Sequence, residues 1–306
     1  MRILISGGAG FIGSHLCDYL LKKRNKVICL DNLLTGRKEN IVHLLKNKNF
    51  KFIKQDVSEK FSLSGRVDAI CHLASAASPK DYLKFPVETL KAGSIGTLNL
   101  LRLAKKKKAV FLLASTSEVY GDPKISPQRE DYWGNVNSNG PRSCYDEANR
   151  FSEALVMAFY RKHSLEIRIA RIFNTYGPRM KKDDGRVIPA FIDQALKNKP
   201  LTVFGKGNQT RSFCYVSDLI EGLYKLLRAK ETGPINLGNS FEMKIIDLAK
   251  LIIKLTRSKS SLTYQVLPID DPKCRRPDIK KAKKLLSWQP EIDLEQGLQK
   301  TITWFK

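Results

Sequence analysis

The sequence predicts an α/β protein in which a doubly wound parallel sheet is followed by a smaller C-terminal α/β lobe. Three observations carry this prediction. Strand-like and helix-like segments alternate over the first half of the 306-residue chain. A glycine-rich loop, GGAGFIG, directly follows the first of these strands. The alternation loosens after Asn174, where Gly177-Pro178 interrupts the chain and mostly helical segments follow.

Short apolar runs predict the strands, and apolar residues at helical spacing predict the helices. In the first half we expect strands at residues 2–6, 26–30, 50–53, 69–73, 109–114 and 166–172, and helices at 11–21, 87–104 and 145–163. In the second half we expect helices at 187–196, 216–227, 248–255 and 294–304. Residues 1–173 then form a nucleotide-binding domain, to which a later segment at about 208–237 returns, and residues 174–306 mainly form a substrate lobe.

Composition and charge exclude several classes of protein. An apolar share of 42% excludes general disorder, and no apolar run is long enough for a transmembrane helix. The first residues run as a strand into the glycine loop, so we expect no signal peptide. The net charge of +24 would suit nucleic acid or a membrane surface, but the lysines are spread along the chain without a nucleic-acid motif. We therefore expect neither partner.

The cysteines and histidines indicate a protein without a metal. The six cysteines are far apart and form no CxxC pair, which is typical of reduced thiols in a cytoplasmic protein. The four histidines are not clustered, so no metal site is expected.

The glycine loop predicts a Rossmann-type dinucleotide site. Gly7, Gly10 and Gly13 allow a tight turn and let backbone N–H groups and a helix N-terminus approach a pyrophosphate. Asp31 follows eighteen positions after Gly13 at the end of the second strand. A carboxylate there accepts the ribose hydroxyls and repels a 2′-phosphate, which favours NAD over NADP. The alternative, a simple turn aspartate, is disfavoured by the glycines upstream. The other residues assigned to the cofactor site are Phe11, Ile12, Asn32, Gly36, Asp56, Val57, Leu73 and Ala74.

A hydroxyl-rich strip, STSEVYG, follows the strand at 109–114, and Tyr145 begins a long helix within RSCYDE. A hydroxyl at a strand end that faces a tyrosine at a helix start is suited to removing a proton from an alcohol while a hydride leaves to nicotinamide. These residues therefore predict an oxidation step.

Over nearly its whole length the chain resembles the extended short-chain dehydrogenase/reductase family, and within it the UDP-glucuronic acid decarboxylases, or UDP-xylose synthases. The resemblance rests on long segments in the same order, among them GGAGFIGSHL, HLASAASP, STSEVYGDP, RSCYDE, RIFNTYGPRM, GNQTRSFCYVSDL and DDPKCRRPDIKKAKKLLSWQP. It implies a Rossmann lobe, tightly held NAD, a site for UDP-glucuronate or a related UDP-sugar between the lobes, and a homodimer.

The reaction that the resemblance implies is decarboxylation of UDP-glucuronate to UDP-xylose through a 4-keto intermediate, with the cofactor recycled in place. Tyr145 matches the base and Thr116 the alcohol-binding hydroxyl. Ser117 and Glu118 match the decarboxylation pair; sugar 4,6-dehydratases have an aspartate in place of the serine. Arg211 matches the arginine that steers the carboxylate or supplies the C5 proton.

The nucleotide site is also carried over from the resemblance. Asn174, Arg186 and Arg275 match residues that hold the diphosphate, and arginine forks suit phosphate oxygens. Val203 and Phe204 lie where the uracil strand is expected.

Two positions depart from the family pattern. The family motif is Tyr-x-x-x-Lys, but Asn149 stands four positions after Tyr145. The missing lysine binds the nicotinamide ribose and lowers the tyrosine pKa, so Tyr145 should be a poor base at neutral pH. Gly93 stands where the family usually has an asparagine. These departures leave two alternatives open: a weakened or inactive relative that still binds NAD and UDP-sugar, or a UDP-glucuronate 4-epimerase.

The homodimer would use the helices at 87–104 and 145–163, because both have apolar residues on more than one face. The residues concerned are Leu98, Leu100, Leu101, Leu155, Val156 and Phe159. The alternative is that these residues pack in the core against the sheet.

Overall fold

The computed structural model describes residues 1–267 and 274–306, so residues 270–273 at the start of the motif DDPKCRRPD lie outside the described part. The strands are β1 (Arg2–Ser6), β2 (Lys26–Asp31), β3 (Phe50–Lys54), β4 (Ala69–His72), β5 (Val110–Thr116), β6 (Ile167–Ile172), β7 (Thr175–Tyr176), β8 (Leu201–Phe204), β9 (Thr210–Ser212), β10 (Cys214–Tyr215), β11 (Pro234–Leu237), β12 (Glu242–Lys244), β13 (Leu262–Gln265) and β14 (Cys274–Arg275). The helices are α1 (Phe11–Lys22), α2 (Pro79–Lys84), α3 (Pro86–Lys91), α4 (Thr97–Lys107), α5 (Ser143–His163), α6 (Val187–Leu196), α7 (Val216–Arg228), α8 (Ile245–Thr256), α9 (Lys280–Leu286) and α10 (Leu294–Phe305).

A seven-stranded sheet in the order β11-β6-β5-β4-β1-β2-β3 forms the centre of the molecule, and all its neighbouring strands are parallel. Side chains alternate between its two faces. Ile3 and Ile5 pack in the cluster that contains the buried residues of α1 and α7, whereas Leu4 packs in the cluster that contains those of α4 and α5. Helices therefore cover both faces, and the predicted doubly wound α/β fold is confirmed.

The strand order brings the predicted motifs to one edge of this sheet. The chain runs from β1 outward to β3 and then crosses to β4 on the other side of β1. Ligands of such sheets bind at the carboxyl ends of the strands, where the order reverses. The glycine loop begins where β1 ends at Ser6, and Ser117–Tyr120, a short 3-10 turn, begins where β5 ends at Thr116.

Short sheets from the second half of the chain cover this edge. They have the orders β12-β9-β14, β10-β7 and β13-β8. Arg211 on β9 and Arg275 on β14 are register partners in adjacent parallel strands. Residues from two distant motifs thus lie side by side.

The helix expected at 87–104 is divided in the structure. A π-helical turn, Ala92–Gly96, separates α3 from α4. Three of the residues expected at a dimer surface, Leu100, Leu101 and Val156, are fully buried against the central sheet, which is the alternative left open by the sequence. That part of the prediction is wrong because helical spacing alone does not show which apolar face meets the sheet.

No helix among the described residues has both the length and the apolar character needed to cross a membrane.

Candidate active site

A cleft of about 990 Å³ opens at the carboxyl edge of the central sheet. Its lining contains almost every residue that the sequence assigned to a site, from the glycine loop to Arg275. The exception is Val203, whose side chain is fully buried in the hydrophobic core, whereas the adjacent Phe204 lines the cleft. The two point in opposite directions because side chains alternate along β8.

The glycine loop forms a cradle that has no room for side chains. Gly7 has φ +72°, and a Cβ there would lie 2.7 Å from the Leu73 carbonyl. A Cβ on Gly13 would lie 2.1 Å from the Gly7 oxygen. Gly7, Gly10 and Gly13 all line the cleft, so the tightly packed backbone at the start of α1 faces it, as the pyrophosphate of a dinucleotide requires. On this observation the residues present fit the cofactor.

Asp31 and Asp56 lie at the far end of this cradle. The Asp31 carboxylate accepts hydrogen bonds from the backbone N–H groups of Ala9 (2.9 Å) and Leu33 (2.8 Å). Burial raises the pKa of Asp31, and these two donors partly offset the shift. Burial also acts to raise the pKa of Asp56, but hydrogen bonds from Ser58 and Asn32 outweigh it, so that the net shift is downward. The cleft thus presents acceptors for ribose hydroxyls beside the glycine loop.

Binding of NAD should be tighter than binding of NADP. The 2′-phosphate of NADP would meet the Asp31 carboxylate, so we expect the unmodified chain to favour NAD by at least about tenfold, which corresponds to about 1.4 kcal/mol. Asp31→Asn should reduce the ratio of the NAD affinity to the NADP affinity. Asp68→Asn removes a carboxylate outside the cleft and should leave this ratio unchanged. Calorimetric titration with both cofactors tests this. Equal affinity in the unmodified chain would contradict the role given to Asp31.

Tyr145 and Thr116 meet as the sequence predicts. Tyr145 lies in the first turn of α5, is 8% exposed, and is hydrogen bonded to the Thr116 side chain at the end of β5. Burial raises the pKa of Tyr145, whereas Thr116 and the guanidinium groups of Arg186 and Arg142 act to lower it. The net shift is upward, so the phenol is a weak base in this setting.

Asn149 supplies no charge beside this phenol. Its side chain is 7% exposed and lines the cleft, and its Nδ2 donates to the Tyr145 carbonyl one turn earlier at 2.9 Å. Arg150 does not take the place of the lysine, because its Nη1 donates to the carbonyls of Val119 (3.1 Å) and Trp133 (2.8 Å), away from the cleft.

Gly93 lies beside the same part of α5. A Cβ on Gly93 would be 2.8 Å from the Ala148 Cβ, so this backbone leaves no room for the family's asparagine. The Gly93 carbonyl instead accepts a hydrogen bond from Ser152 Oγ at 2.6 Å. Both departures from the family pattern therefore lie at one junction between the π-helical turn and α5.

Glu118 lies between two guanidinium groups. Arg142 Nη2 is 2.6 Å from Glu118 Oε2, and Arg275 Nη1 contacts Glu118 Oε1. Burial lowers the pKa of Arg275 to about 10, which leaves it protonated at neutral pH. Its Nη2 is buried and has no hydrogen-bond partner among the described residues. The cluster has one carboxylate for two cations, and it can accept a further anion.

Tyr82 is a site residue that the sequence analysis missed, as is Arg142. The Tyr82 ring stacks on Tyr145 with centroids 5.2 Å apart, and burial raises its pKa to about 12. Its hydroxyl is a buried donor that lacks a partner within residues 1–267 and 274–306. Arg142 belongs to RSCYDE, one of the segments that carried the resemblance, whereas Tyr82 lies three positions beyond the segment HLASAASP. Neither residue has a distinctive spacing of its own.

Asn174 and Arg186 border the other side of the cleft. Asn174 Nδ2 is buried without a hydrogen-bond partner in the described part of the chain. Arg186 binds the Asp184 carboxylate through Nε (2.8 Å) and Nη2 (2.5 Å), and its guanidinium lies 5.9 Å from the centre of the Phe11 ring. These groups offer donors to an oxygen-rich ligand beside the cofactor cradle.

Residues 3–238 match the NAD dependent epimerase/dehydratase family, so the chain belongs to that family. Among curated relatives, it is 52% identical to UDP-glucuronic acid decarboxylase 1 of Danio rerio, over 99% of this chain and 72% of the relative. It is 53% identical to UDP-glucuronic acid decarboxylase 3 of Arabidopsis thaliana, over 97% of this chain and 87% of the relative.

Solved structures show the same fold. A UDP-glucose 4-epimerase from Thermotoga maritima, in complex with UDP-glucose, superposes with a TM-score of 0.92 at 30% identity, over 100% of this chain and 98% of the other. A UDP-glucuronic acid 4-epimerase from Bacillus cereus, in complex with UDP-glucuronic acid and NAD, superposes with a TM-score of 0.88 at 31% identity. The match covers 99% of this chain and 98% of the other.

Proposed function

We propose that the chain converts UDP-glucuronate to UDP-xylose and CO₂ with NAD as a recycled cofactor. The observation that carries the proposal is the Glu118 cluster, in which a carboxylate between Arg142 and Arg275 lies at the same strand end as Thr116 and Ser117. The identity of about 52% to curated decarboxylases over nearly the whole chain supports it.

The cofactor would be held by the glycine loop, Asp31 and the residues around Asp56. When bound there, NAD would supply reversible hydride transfer at C4 of the sugar. Tyr145 takes the proton of the C4 hydroxyl in the oxidation and returns it to the same oxygen when the ketone is reduced, and Thr116 orients that hydroxyl.

The 4-ketone formed in this way lies β to the C5 carboxylate. Loss of CO₂ leaves the bonding electrons in an enolate, which is then protonated at C5. Arg275 Nη2 and the Tyr82 hydroxyl are buried donors without acceptors among the described residues, and in this proposal they bind the substrate carboxylate. Arg211, which faces the cleft on the adjacent strand, remains the second candidate for steering the carboxylate or delivering the C5 proton. Asn174 and Arg186 hold the diphosphate, and Phe204 with the backbone at Val203 borders the uracil.

Incubation with UDP-glucuronate and NAD, followed by mass spectrometry of the nucleotide sugars, tests the function. We expect UDP-xylose and CO₂. A product of unchanged mass, the 4-epimer, would support the epimerase alternative instead. Retained binding of both ligands without any product would support the binding-only alternative, which the neutral Asn149 amide beside Tyr145 favours.

We also propose a homodimer formed by α3, the π-helical turn, α4 and α5. These elements pack beside one another. They expose four large apolar side chains, Val87, Leu90, Ile95 and Phe151. Exposed large apolar side chains on neighbouring helices are typical of an interface between subunits.

Ile95→Glu should convert this dimer to a monomer, because a carboxylate would be buried at the centre of the interface without a partner. Leu285→Glu is the matched control, since Leu285 is similarly exposed on α9 (43% against 46% for Ile95). Light scattering after gel filtration measures the mass of both variants. A monomeric unmodified chain at micromolar concentration would contradict the proposal.

Two further parts of the proposal concern domains and location. The cofactor domain consists of residues 1–173 together with the segment at about 208–237, and residues 174–306 mainly form the substrate lobe. This division is supported by the position of β11 in the central sheet and by the contact of α7 with α1. All six cysteines lie within the described residues and are unpaired there, which supports a cytoplasmic location.

A further inference from the structure

The loop that follows β7 is attached to the cofactor helix α1. Arg179 in this loop places its Nη2 2.6 Å from Asp18 Oδ2 on α1. The Arg179 carbonyl accepts a hydrogen bond from Arg37 Nη2 at 3.3 Å, and the Pro178 carbonyl contacts His15 Nε2, also on α1, at 3.0 Å. Three separate contacts therefore join a loop of the second half of the chain to the cofactor-binding half.

This loop lies across the cofactor end of the cleft. Arg37 and Arg179 line the cleft together with Gly10 and Phe11, which form the start of α1. A dinucleotide whose pyrophosphate lies on the glycine loop would have Arg179 on one side and α1 on the other. The loop thus borders the part of the cleft where the pyrophosphate would lie.

Arg179 combines an unusual backbone conformation with a shielded ion pair. Its φ of +71° lies in the left-handed region, which is sparsely populated for a residue with a side chain. The Arg179 and Asp18 side chains are only 14% and 20% exposed, so their ion pair is less screened by water than a surface pair. Arg179 Nη1 is buried and has no hydrogen-bond partner in the described part of the chain, so an oxygen-rich ligand in the cleft would find a free donor there.

We propose that the Asp18–Arg179 pair is a latch that holds residues 177–180 across the bound cofactor and slows its release. The inference rests on the proposed function insofar as NAD is the occupant of the cleft. Slow release is compatible with that function. The hydride taken from the sugar returns to the sugar in the same turnover, so the cofactor need not leave the protein.

The dissociation rate of bound NADH tests the latch directly and without turnover. Fluorescent NADH is bound to the full chain and displaced by excess NAD in a stopped-flow instrument. Asp18→Asn and Arg179→Gln should each accelerate release by about tenfold or more, because contacts at a ligand exit act mainly on dissociation rates. The double variant should release NADH about as fast as the faster single variant, because both changes remove the same interaction.

Three control variants separate a latch from a general loss of structure. His43→Ala removes the other partner of Asp18, at 2.8 Å, and Arg66→Gln removes an exposed arginine–aspartate pair. In both of these variants the NADH dissociation rate should stay within about twofold of that of the unmodified chain. Asp18→Glu keeps the carboxylate and should therefore release NADH slowly. Unchanged release in Asp18→Asn and Arg179→Gln would overturn the latch alone. Failure of the unmodified chain to bind NADH would overturn the proposed cofactor and the latch with it.

Discussion

Asn149→Lys is expected to raise the rate of product formation at about pH 7 by roughly ten- to thousandfold. A nearby cation lowers the pKa of a phenol by about one to three units, and each unit is tenfold in the ionised fraction. Burial raises the pKa of Tyr145 in this chain, and Asn149 supplies only a neutral amide that bonds to its own helix. The lysine would restore a charge one helical turn from Tyr145.

The pH dependence follows from the direction of this shift. Tyr145 accepts a proton only when it is ionised, and its pKa lies above the ordinary phenol value of about 10. The rate of the unmodified chain should therefore still rise between about pH 7 and pH 9. In the lysine variant the pKa is lower, so the rise should flatten within that range.

Asn149→Met is the matched control, because it gives a side chain nearly as long as lysine but without charge. It should leave the rate at neutral pH unimproved, and Tyr145→Phe should abolish oxidation in both backgrounds. The measurement is a pH–rate profile of product formation. If the unmodified chain already matched the lysine variant in rate and pH profile, the missing lysine charge would not limit the reaction, and this prediction would be wrong.

Glu118→Gln should reduce CO₂ release by about 10²- to 10⁴-fold. Glu118 belongs to the decarboxylation pair that the resemblance implies, and this is the range typical for loss of a group that acts as an acid or a base. The substitution removes the only carboxylate that the described structure places between Arg142 and Arg275. Affinity for NAD should stay within about twofold, because Glu118 lies at the end of β5 and not in the glycine loop. Arg275→Lys should show the same pattern, since a lysine cannot reproduce the guanidinium fork.

The control for this series is Glu221→Gln, which removes an exposed carboxylate paired with Lys225 on α7. It should retain both activity and NAD binding. The midpoint of thermal unfolding of Glu118→Gln shows whether the protein stays folded when the two guanidinium groups lose their carboxylate. Glu118→Asp is a second variant, which keeps the negative charge. Full decarboxylation by a folded Glu118→Gln protein would show that the cluster orders the cleft without taking part in the reaction.

The central sheet was predictable because its signals are local. The strand before GGAGFIG, Asp31 at the end of β2 and the hydroxyl strip after β5 each combine a sequence pattern with a position in the alternation of strands and helices. Parallel order then places their carboxyl ends at one edge. The long helix expected at 87–104 was less predictable, because the π-helical turn at Ala92–Gly96 depends on close packing of Gly93 against Ala148, a residue far away in sequence.

The surroundings of the site depended on contacts between distant segments. Tyr82 has no spacing that marks it as a site residue, and only the packing of α2 against α5 stacks it on Tyr145. The resemblance assigns Arg275 to the diphosphate, and this assignment stays a prediction. Its contact with Glu118, 157 positions earlier in the chain, comes from the pairing of β14 with β9 and has no signal in the sequence. Leu101 and Ile95 look equally apolar in the sequence, but one is fully buried and the other is 46% exposed.

The sequence by itself determined the fold class, the glycine loop with its acidic partner at Asp31, the pairing of Tyr145 with a strand-end hydroxyl, and the absence of a lysine at Asn149. The glycine loop, Asp31 and Asn149 each lie within one turn, one strand end or one helical turn, where geometry follows from covalent spacing. The pairing of Tyr145 with Thr116 joins two distant segments, and it was predictable because each segment has a recognisable pattern of its own. Only the tertiary structure decided which apolar faces are buried, which arginines reach Glu118, and that Arg179 pairs with Asp18. Those contacts join segments that are far apart in the chain, and their geometry is set by how the helices and sheets pack rather than by any local pattern.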